Sequence, residues 1–581
     1  MIWRFVPSRR WIALGLLFGG LTVLELSAQD ETELPALISQ YNKLYQTGKF
    51  NEAIPIGEKI VALREESLGP DHPGTGAALN NLAELYRTMG EFAKAAPFYD
   101  RALSIFEKAL GPEHPNFASV LNNRALLYSQ AGEAAKAEPL YQRVLKIREK
   151  ALGPTHPDTA ASLNSLAVLY YQQGDYAKAE PLYQRALKIR EKAFGAEHPK
   201  VALTLNDFAA LHIATDDYAK AEPMLRRALK IREKVLGAEH PDTATSLNNL
   251  AALYRDRAEY GKARPLFERA VKICEKVFGP DHPSTAFTVN NLGSLYYQTG
   301  DYARAEPLYQ RALQSREKSL GPNHPETASS LECVGELYQA RHEYAKAEPL
   351  YRRALETKEK ALGSDHPSFA RTLGNLALLY QDMGEFSKAE PLYERVLKIT
   401  EKVHGPDTSA MATSLNNLAL LYDQMGTYHK AEPLYQRASK IYEKSVRPNH
   451  PDAGKAFGNL ASHYRKMGEY AKAEPLQLRA LKIHETALGS NHPDTATSLL
   501  NLGELYKETG VYGKAETLYL RALKIRENSL GVDNPKTASA CDSLASLYWT
   551  TGKSAKAEAY SQRAGKIREK AKERTRTNAG E

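Results

Sequence analysis

Apolar residues along this chain recur at helical spacing in pairs of adjacent segments. Residues 157–174 carry them at the spacing of one helical face, namely at Leu163, Leu166, Ala167 and Tyr170. Residues 175–195 carry a second such face at Tyr176, Ala179, Tyr183 and Ala186. Gly174 separates the two segments and Gly195 follows the second, as glycine does where helices end. The pattern therefore predicts a helical hairpin.

This hairpin repeats with a fixed period of 42 residues. The dipeptide His-Pro marks the start of each unit, at His72, His114, His156, His198, His240, His282, His324, His366, His450 and His492. Thr408-Ser409 and Asn534-Pro535 occupy the two remaining marks, so the spacing runs from 72 to 534 without an insertion or deletion. A fixed period of this length indicates a solenoid, in which each unit is expected to touch only its neighbours.

The residues of the hairpin match a known signature. The nine residues quoted above, with Gly174 as the turn, are similar to the tetratricopeptide repeat, and the segments SLNNLAALY and YAKAEPLYQRALKIREK resemble the kinesin light chain subgroup. The resemblance covers roughly residues 30 to 571. Its turn glycine recurs from Gly48 to Gly552, with Asp216, Ala258 and His342 as substitutes.

The resemblance implies an all-α, tetratricopeptide-type α-solenoid, a right-handed superhelix of about thirteen helical hairpins that binds peptides. A kinesin light chain also carries a long heptad region for its heavy chain, and no such pattern stands before Gln29 or after Lys570. We therefore expect the fold and the peptide-binding habit of this family without a motor cargo role.

The amino-terminal residues have the composition of an export signal. Arg4, Arg9 and Arg10 precede an apolar run at residues 11–24, which the small pair Ser27-Ala28 follows. The run is shorter than the roughly 20 residues that cross a bilayer as a helix, which favours cleavage over a permanent anchor. We predict a signal peptide or N-terminal anchor at residues 1–28, a repeat array at 29–571 and a basic flexible tail at 572–581. The protein is expected to be periplasmic or secreted, with membrane contact only if the segment is not cleaved.

Composition argues for a soluble array without redox chemistry. Charged residues make up 25% of the chain and hydrophobic residues 43%, which is ordinary for globular protein. The net charge of +8 comes largely from mixed-sign runs such as residues 188–192, which are typical of a solvated helix face. The three cysteines Cys274, Cys333 and Cys541 are too few for a disulfide framework.

Sequence motifs of catalysis, cofactor binding and nucleic-acid binding are not found. The chain has no H-E-x-x-H, C-x-x-C or G-x-G-x-x-G motif, so we predict no enzyme activity, no cofactor and no small-molecule substrate. Its lysines and arginines are interleaved with glutamates, which speaks against nucleic acid as a partner. Histidines that recur once per repeat lie at least 8–10 Å apart, too far to share a metal ion, so we interpret them as structural.

The candidate site is the inner face of the first helix in each hairpin. A ladder of asparagines follows this face, at Asn80, Asn81, Asn122, Asn123, Asn164, Asn206, Asn248, Asn249, Asn290, Asn291, Asn375, Asn416, Asn417, Asn459 and Asn501. Because an amide side chain offers both donors and an acceptor, such a row is suited to the backbone of an extended peptide. The alternative is that these amides bond to the neighbouring helix and fix the stacking.

Cationic and aromatic residues accompany the ladder. They are Arg87, Tyr171, Arg255, Tyr297, Arg465 and Lys507, joined by Arg371 and Lys455 nearer the helix starts. These side chains predict a preference for acidic or carboxylate-bearing segments. The sequence thus favours a non-enzymatic scaffold that binds an extended peptide or protein segment. The alternative is a structural envelope component that self-associates through the exposed ends of its stack.

Overall fold

The computed structural model describes residues 30–444 and 449–577, which form thirteen hairpins of two helices each. The first helices of the hairpins (A helices) are α1 Asp30–Gln46, α3 Pro73–Thr88, α5 Pro115–Gln130, α7 Pro157–Gln173, α9 Pro199–Ala214, α11 Pro241–Asp256, α13 Pro283–Gln298, α15 Pro325–Ala340, α17 Pro367–Asp382, α19 Ser409–Gln424, α21 Pro451–Lys466, α23 Pro493–Glu508 and α25 Pro535–Thr550.

The second helices (B helices) are α2 Phe50–Leu68, α4 Phe92–Leu110, α6 Ala134–Leu152, α8 Tyr176–Phe194, α10 Tyr218–Val235, α12 Tyr260–Phe278, α14 Tyr302–Leu320, α16 Tyr344–Leu362, α18 Phe386–His404, α20 Tyr428–Lys444, α22 Tyr470–Ala487, α24 Tyr512–Leu530 and α26 Ser554–Thr577. The predicted all-α array of thirteen hairpins is therefore confirmed. The predicted signal segment lies outside the described residues. No helix among those described is long and apolar enough to cross a membrane.

The His-Pro dipeptide starts the A helices for a local reason. Proline takes the first helical position, where its missing N–H costs nothing. The histidine before it accepts a hydrogen bond through Nδ1 from the backbone N–H two residues on, at 3.1 Å from Asp158 N to His156 Nδ1. Asn534 caps α25 in the same way through Oδ1. Thr408 caps α19 with its hydroxyl at a longer 3.3 Å. The predicted structural role of the histidines is thus confirmed.

Turns between the two helices of a hairpin require a left-handed backbone. The turn glycines have positive φ, for example 81° at Gly174. The three predicted substitutes adopt the same conformation, with φ of 59° at Asp216, 58° at Ala258 and 60° at His342. These are the positive-φ residues other than glycine in the described chain. Each costs about 1–2 kcal/mol relative to glycine.

Small residues allow the helices of a hairpin to approach closely. Ala167 of α7 and Ala179 and Ala186 of α8 are fully buried, as most of their equivalents are in the other hairpins. Tyr183 fills the remaining space and is fully buried as well. Hairpins then stack through polar contacts on the outside, where Arg185 pairs with Glu149 of the preceding B helix at 2.7 Å. The core between the two helix layers is a series of apolar clusters along the array, the larger ones spanning several hairpins.

Hairpins also contact hairpins six positions further along the chain. Gly90, in the turn of the second hairpin, lies against His324 and Pro325 at the start of the eighth, and His324 Nε2 is 3.1 Å from Thr88 O. Gly48 meets His282 in the same way, and Gly132 meets His366. The expectation that each unit touches only its neighbours was wrong. The superhelix is wound so tightly that six hairpins make one turn and successive turns touch.

This contact uses both nitrogens of the histidine ring. Nδ1 accepts the helix N–H, so the neutral ring carries its proton on Nε2 and donates it to a backbone carbonyl of the previous turn. The facing carbonyls belong to Gln46 for His282 and Gln130 for His366. Burial lowers the pKa of both histidines to about 4. Asn534 replaces the imidazole in the last pair, with its amide Nδ2 2.6 Å from Thr299 O.

Candidate functional site

The inner face of the superhelix is formed by the A helices. Consecutive A helices contact one another directly, for example α7 with α9, α11 with α13 and α21 with α23. In the described chain no two consecutive B helices pack as closely. The A helices therefore lie on the smaller radius, as predicted. Because successive turns touch, this face is the wall of a channel. The channel opens at the outer edge of the first turn and at the outer edge of the last turn.

Most ladder asparagines bond to one another between hairpins. The second asparagine of one unit donates to the first asparagine of the unit before it, 43 residues earlier: Asn123 to Asn80 at 3.0 Å, Asn249 to Asn206 at 3.5 Å, Asn291 to Asn248 at 2.9 Å and Asn459 to Asn416 at 3.1 Å. Asn164 donates to Asp207 at 2.9 Å with the same offset. These contacts are those of the alternative interpretation, in which the amides fix the stacking. Peptide binding by these amides stays a prediction.

Several ladder asparagines take no part in this Asn-to-Asn pattern, and two of them are open to a ligand. Asn417 and Asn501 are half-buried and make no hydrogen bond within residues 30–444 and 449–577. The residues 43 positions earlier, where each would find its acceptor, are Gly374 and Gly458. Both glycines lie inside A helices with ordinary backbone, where glycine costs about 1 kcal/mol relative to alanine. The glycines therefore leave Asn417 and Asn501 available to another molecule.

A small hollow adjoins Asn501. It is shallow and open, and is lined by Ala461, Ser462, Arg465, Ala473, Gln477, Asn501 and Leu505. Gly458 contributes to it by having no side chain, since a Cβ there would lie 4.0 Å from Gln477 Oε1. Gln477 stands where Tyr435 and Tyr519 fill the equivalent space. The hollow encloses no space of its own and is only a depression beside the Asn501 amide.

Other asparagines of the ladder are closed to a ligand. Asn122 and Asn164 are 6% and 2% exposed, and the Oδ1 atom of each is buried without a hydrogen-bond partner. Ser165 and Asp207 stand where the following unit would supply a donor amide. The remaining members are either buried, as Asn206, Asn248 and Asn290 are, or half-buried. Only part of the predicted ladder is thus accessible from the channel.

Each predicted cation of the inner face is paired with a carboxylate. The pairs are Arg87 with Glu84, Arg255 with Asp256, Arg371 with Glu332, Lys455 with Asp452 and Asp494, Arg465 with Glu508, and Lys507 with Glu504. Tyr171 and Tyr297 pack on tyrosines of their own hairpins, with ring centroids 6.0 Å from Tyr176 and 5.7 Å from Tyr302. The channel wall therefore carries both signs of charge and is less cationic than its list of basic residues suggests.

A buried charged cluster between α15, α16 and α17 was not foreseen. Glu332 occupies a ladder position and accepts from Lys358 Nζ at 2.7 Å and from Arg371 at 3.2 Å. Burial acts to raise the pKa of Glu332, but these two cations hold it below its usual value. Burial and the charge of Glu332 raise the pKa of Glu336 to about 7. The sequence signal was the carboxylate in place of an asparagine.

Metal ligation and thiol chemistry find no support in the described residues. No group of three or more His, Cys, Asp or Glu side chains lies close enough there to hold a metal ion. His463 bonds through Nδ1 to Asp423 at 2.6 Å and packs among tyrosines. The three cysteines are buried and unpaired, and burial raises the pKa of the Cys274 thiol to about 11.

Comparison with known families decides the relationship. A tetratricopeptide repeat model matches overlapping segments from residues 44–108 to residues 507–570, and a second one matches residues 416–487. The chain belongs to the tetratricopeptide repeat family. The repeat signature that the sequence resembles is thereby confirmed across nearly the whole array. No curated protein matches the chain.

Solved structures of tetratricopeptide repeat proteins include shorter arrays. BtubC (BKLC) from P. vanneervenii is 26% identical, and the match covers 40% of this chain and 92% of that one with a TM-score of 0.32. A putative kinesin light chain from Podosopora anserina with nearly identical repeats is also 26% identical, over 36% of this chain and 98% of that one with a TM-score of 0.30. The matched structures thus cover about two-fifths of the present array.

Proposed function

We propose that this tetratricopeptide repeat protein is an exported, non-enzymatic scaffold that binds an extended peptide or protein segment on its inner face. Repeats of this family generally bind proteins or peptides. We place the site by Gly374 and Gly458, which interrupt the row of hydrogen-bonded asparagines. Because of these glycines, Asn417 and Asn501 have no bonding partner in the neighbouring hairpin. An amide that the stack does not use retains its donors and acceptor for a peptide backbone.

The site lies where a segment can enter. Asn417 and Asn501 belong to α19 and α23, in the last superhelical turn. Among the described residues no hairpin lies six positions after either of these two, and a Cβ added at their turn residues Gly426 or Gly510 would meet nothing within 4 Å. A bound segment would run from this open mouth along the A helices. Arg465 and Asn501 both line the hollow, so a segment lying over it would meet the amide and the guanidinium together.

We further propose that the inner face prefers acidic segments. Arg371 and Lys455 are about half exposed, so their charges reach the channel even though each is ion-paired. Lys455 and its partners Asp452 and Asp494 are all partly exposed, and because such pairs contribute little to stability a ligand carboxylate can compete for Lys455. Arg371 stays bonded to the buried Glu332 and would contribute only the side of its guanidinium that reaches the channel. Export is proposed from the composition of the amino-terminal segment, and nucleic acid and small-molecule substrates are not expected as partners.

Selection from a displayed random-peptide library on the full chain tests the proposal without a known partner. Asn501→Ala and Gly458→Asn should each weaken the selected peptides tenfold or more, which is about 1.4 kcal/mol. Asparagine at 458 would accept from Asn501 as its equivalents do, and would fill the hollow. Gly458→Ala is the matched control, since it stabilises the helix without supplying an acceptor.

Several outcomes would contradict the proposal. Peptides that bind Gly458→Asn as tightly as the wild type would place the site elsewhere. Selected peptides without an excess of Asp and Glu, or binding that does not weaken with salt, would exclude the acidic preference. A library that yields no binder would argue against peptide binding as a whole.

A further inference from the structure

Within residues 30–444 and 449–577, two edges of the superhelix remain uncovered, one at each end of the array. The first, which we call the histidine edge, consists of His72, His114, His156, His198 and His240 at the starts of α3 to α11. The second, the glycine edge, consists of the turn residues Gly384, Gly426, Gly468, Gly510 and Gly552. A Cβ at any of these five glycines would meet nothing within 4 Å. Each edge corresponds to nearly one full superhelical turn.

The same two kinds of edge meet inside the chain. The internal contacts pair a turn residue with a helix start six hairpins later: Gly48 with His282, Gly90 with His324, Gly132 with His366, Asp216 with His450 and Gly300 with Asn534. Each uncovered edge therefore presents the groups that its counterpart already binds within the molecule. The histidine edge offers ring donors, and the glycine edge offers turn carbonyls with space beside them.

We propose that a second copy of this chain docks its histidine edge on the glycine edge of the first and continues the superhelix. The internal register, carried past the thirteenth hairpin, places Gly384 against His72, Gly426 against His114, Gly468 against His156, Gly510 against His198 and Gly552 against His240. The same register also places the turn residue His342 against the start of α1. This position lacks the usual contact, because the turn has histidine in place of glycine and α1 begins at Asp30 without a His-Pro dipeptide.

Exposure of apolar side chains follows the same division. Met89, in a turn that His324 and Pro325 cover, is 6% exposed, whereas at the equivalent positions of the glycine edge Met467 is 42% exposed and Met383 and Met425 are half-buried. Val511 and Tyr512 add to this edge with exposures of 40% and 39%. The internal contact shows what buries such residues, namely the helix starts of a following turn. A second copy supplies these starts in the required order.

The contact is head-to-tail and does not close on itself. Because the two docking surfaces differ, every copy keeps one free edge of each kind after pairing, and the assembly grows as an open filament. The filament would be a tube whose channel passes from one copy to the next. Docking would also cover the turns at Gly426 and Gly510, so the peptide site proposed above would be open from this mouth only in a copy whose glycine edge is unpaired.

Sedimentation velocity and negative-stain microscopy of the full chain over a range of concentrations test it. The wild type is expected to form concentration-dependent linear oligomers. The double variant His114→Asp with His156→Asp removes two ring donors but keeps a side chain that caps the helix start, and should weaken association at least tenfold. Gln142→Asp with Gln184→Asp adds the same charge on exposed outer positions of α6 and α8 and should leave association unchanged.

A mixing experiment separates this geometry from any other self-association. Met467→Lys with Val511→Lys blocks the glycine edge and should also leave the chain monomeric. Mixed with the histidine-edge variant, it should form a dimer and nothing larger, because each retains one complementary edge. A wild type that stays monomeric at all concentrations, a symmetric dimer that ends growth, or variants that still polymerise would overturn the proposal.

Discussion

The His-Pro dipeptide occurs in two environments within this molecule. In the first superhelical turn the histidine caps its helix and faces solvent, and the side chain of His156 is 39% exposed. In the second turn His282 caps α13 by the same bond and is 1% exposed, because its ring lies on the turn of the first hairpin. One dipeptide therefore has one local role throughout and a second role that depends on its position in the superhelix.

The two turns differ in the contacts that hold the superhelix at its short pitch. Stacking between neighbouring hairpins is alike in both turns, with the same tyrosine and arginine contacts. Only the second turn adds contacts to residues more than 230 positions away, as between His324 and Thr88. A repeat protein held by neighbours alone would change its pitch easily. Here the ring-to-carbonyl bonds hold the pitch, and their loss should lengthen the molecule.

The largest effect is expected from adding a methyl group to a covered turn. A Cβ at Gly132 would lie 2.5 Å from the ring of His366, whereas one at Gly174 would meet nothing within 4 Å. Both glycines have positive φ, so alanine costs each about 1–2 kcal/mol locally. Gly132→Ala should lose a further 1–3 kcal/mol or so through overpacking, or open the contact between turns.

Chemical denaturation and small-angle X-ray scattering measure the two consequences. Gly132→Ala should unfold at lower denaturant concentration than Gly174→Ala and should show a larger maximum dimension. Equal stability and equal size of the two variants would mean that the turns do not hold each other.

Acidification should weaken the second turn before the first. The pKa of His282 is lowered to about 4 by burial, whereas an unfolded or released histidine titrates near 6.5. Between these values only the released form takes up a proton, so the stabilisation is complete above about pH 6.5 and is lost as the pH falls toward 4. For His282 the loss amounts to about 3 kcal/mol at most. The positive charges of Lys358 and Arg371 lower the pKa of His366 further in the same direction.

Scattering profiles at neutral pH and at pH near 4.5 should show an expanded molecule in acid. The variant that carries asparagine at 282, 324 and 366 provides the control, because Asn534 already makes both bonds without a titratable group. The control should lose less stability on acidification than the wild type. An equal loss in both proteins would assign the acid effect to carboxylates elsewhere.

Local features of the fold were predictable because they arise within one period. Helix bounds, the caps at His156 and Asn534, and the left-handed turns at Asp216 and Ala258 follow from residues a few positions apart. The contact between turns was not predictable, since it depends on the small rotation of each hairpin on the next, summed over six hairpins. No pattern within one repeat indicates the total rotation over six hairpins.

The candidate site was predictable only in part. The position of the ladder on the inner face followed from the repeat, but its pairing offset of 43 residues depends on how neighbouring A helices are staggered. Once that offset is known, the interruptions at Gly374 and Gly458 can be read directly from the sequence. Glu332 and Lys358 each differ from the residue that most repeats have at the same position. These two opposite charges lie 26 residues apart and could have predicted the buried ion pair.

The smallest effect concerns Thr408, which with Asn534 is one of the two covered helix starts without histidine. Thr408 stands opposite Gly174, and α19 begins there without proline. The segment from Val403 to Lys444 should therefore exchange its amide hydrogens sooner than its flanks. Thr408→His with Ser409→Pro restores the dipeptide, and its Nε2–H should reach the carbonyl of Gln172. One such bond contributes about 0.5–1.5 kcal/mol.

Hydrogen exchange and denaturant unfolding of the restored variant measure this gain. Ser409→Pro alone is the matched control, because it supplies the helix start without the ring donor. The double variant should slow exchange in α19 and in the turn at Gly174 together, although the two lie 234 residues apart along the chain. Protection that increases in α19 alone would show that the dipeptide acts there only as a helix cap. It would then make no contact with the first superhelical turn.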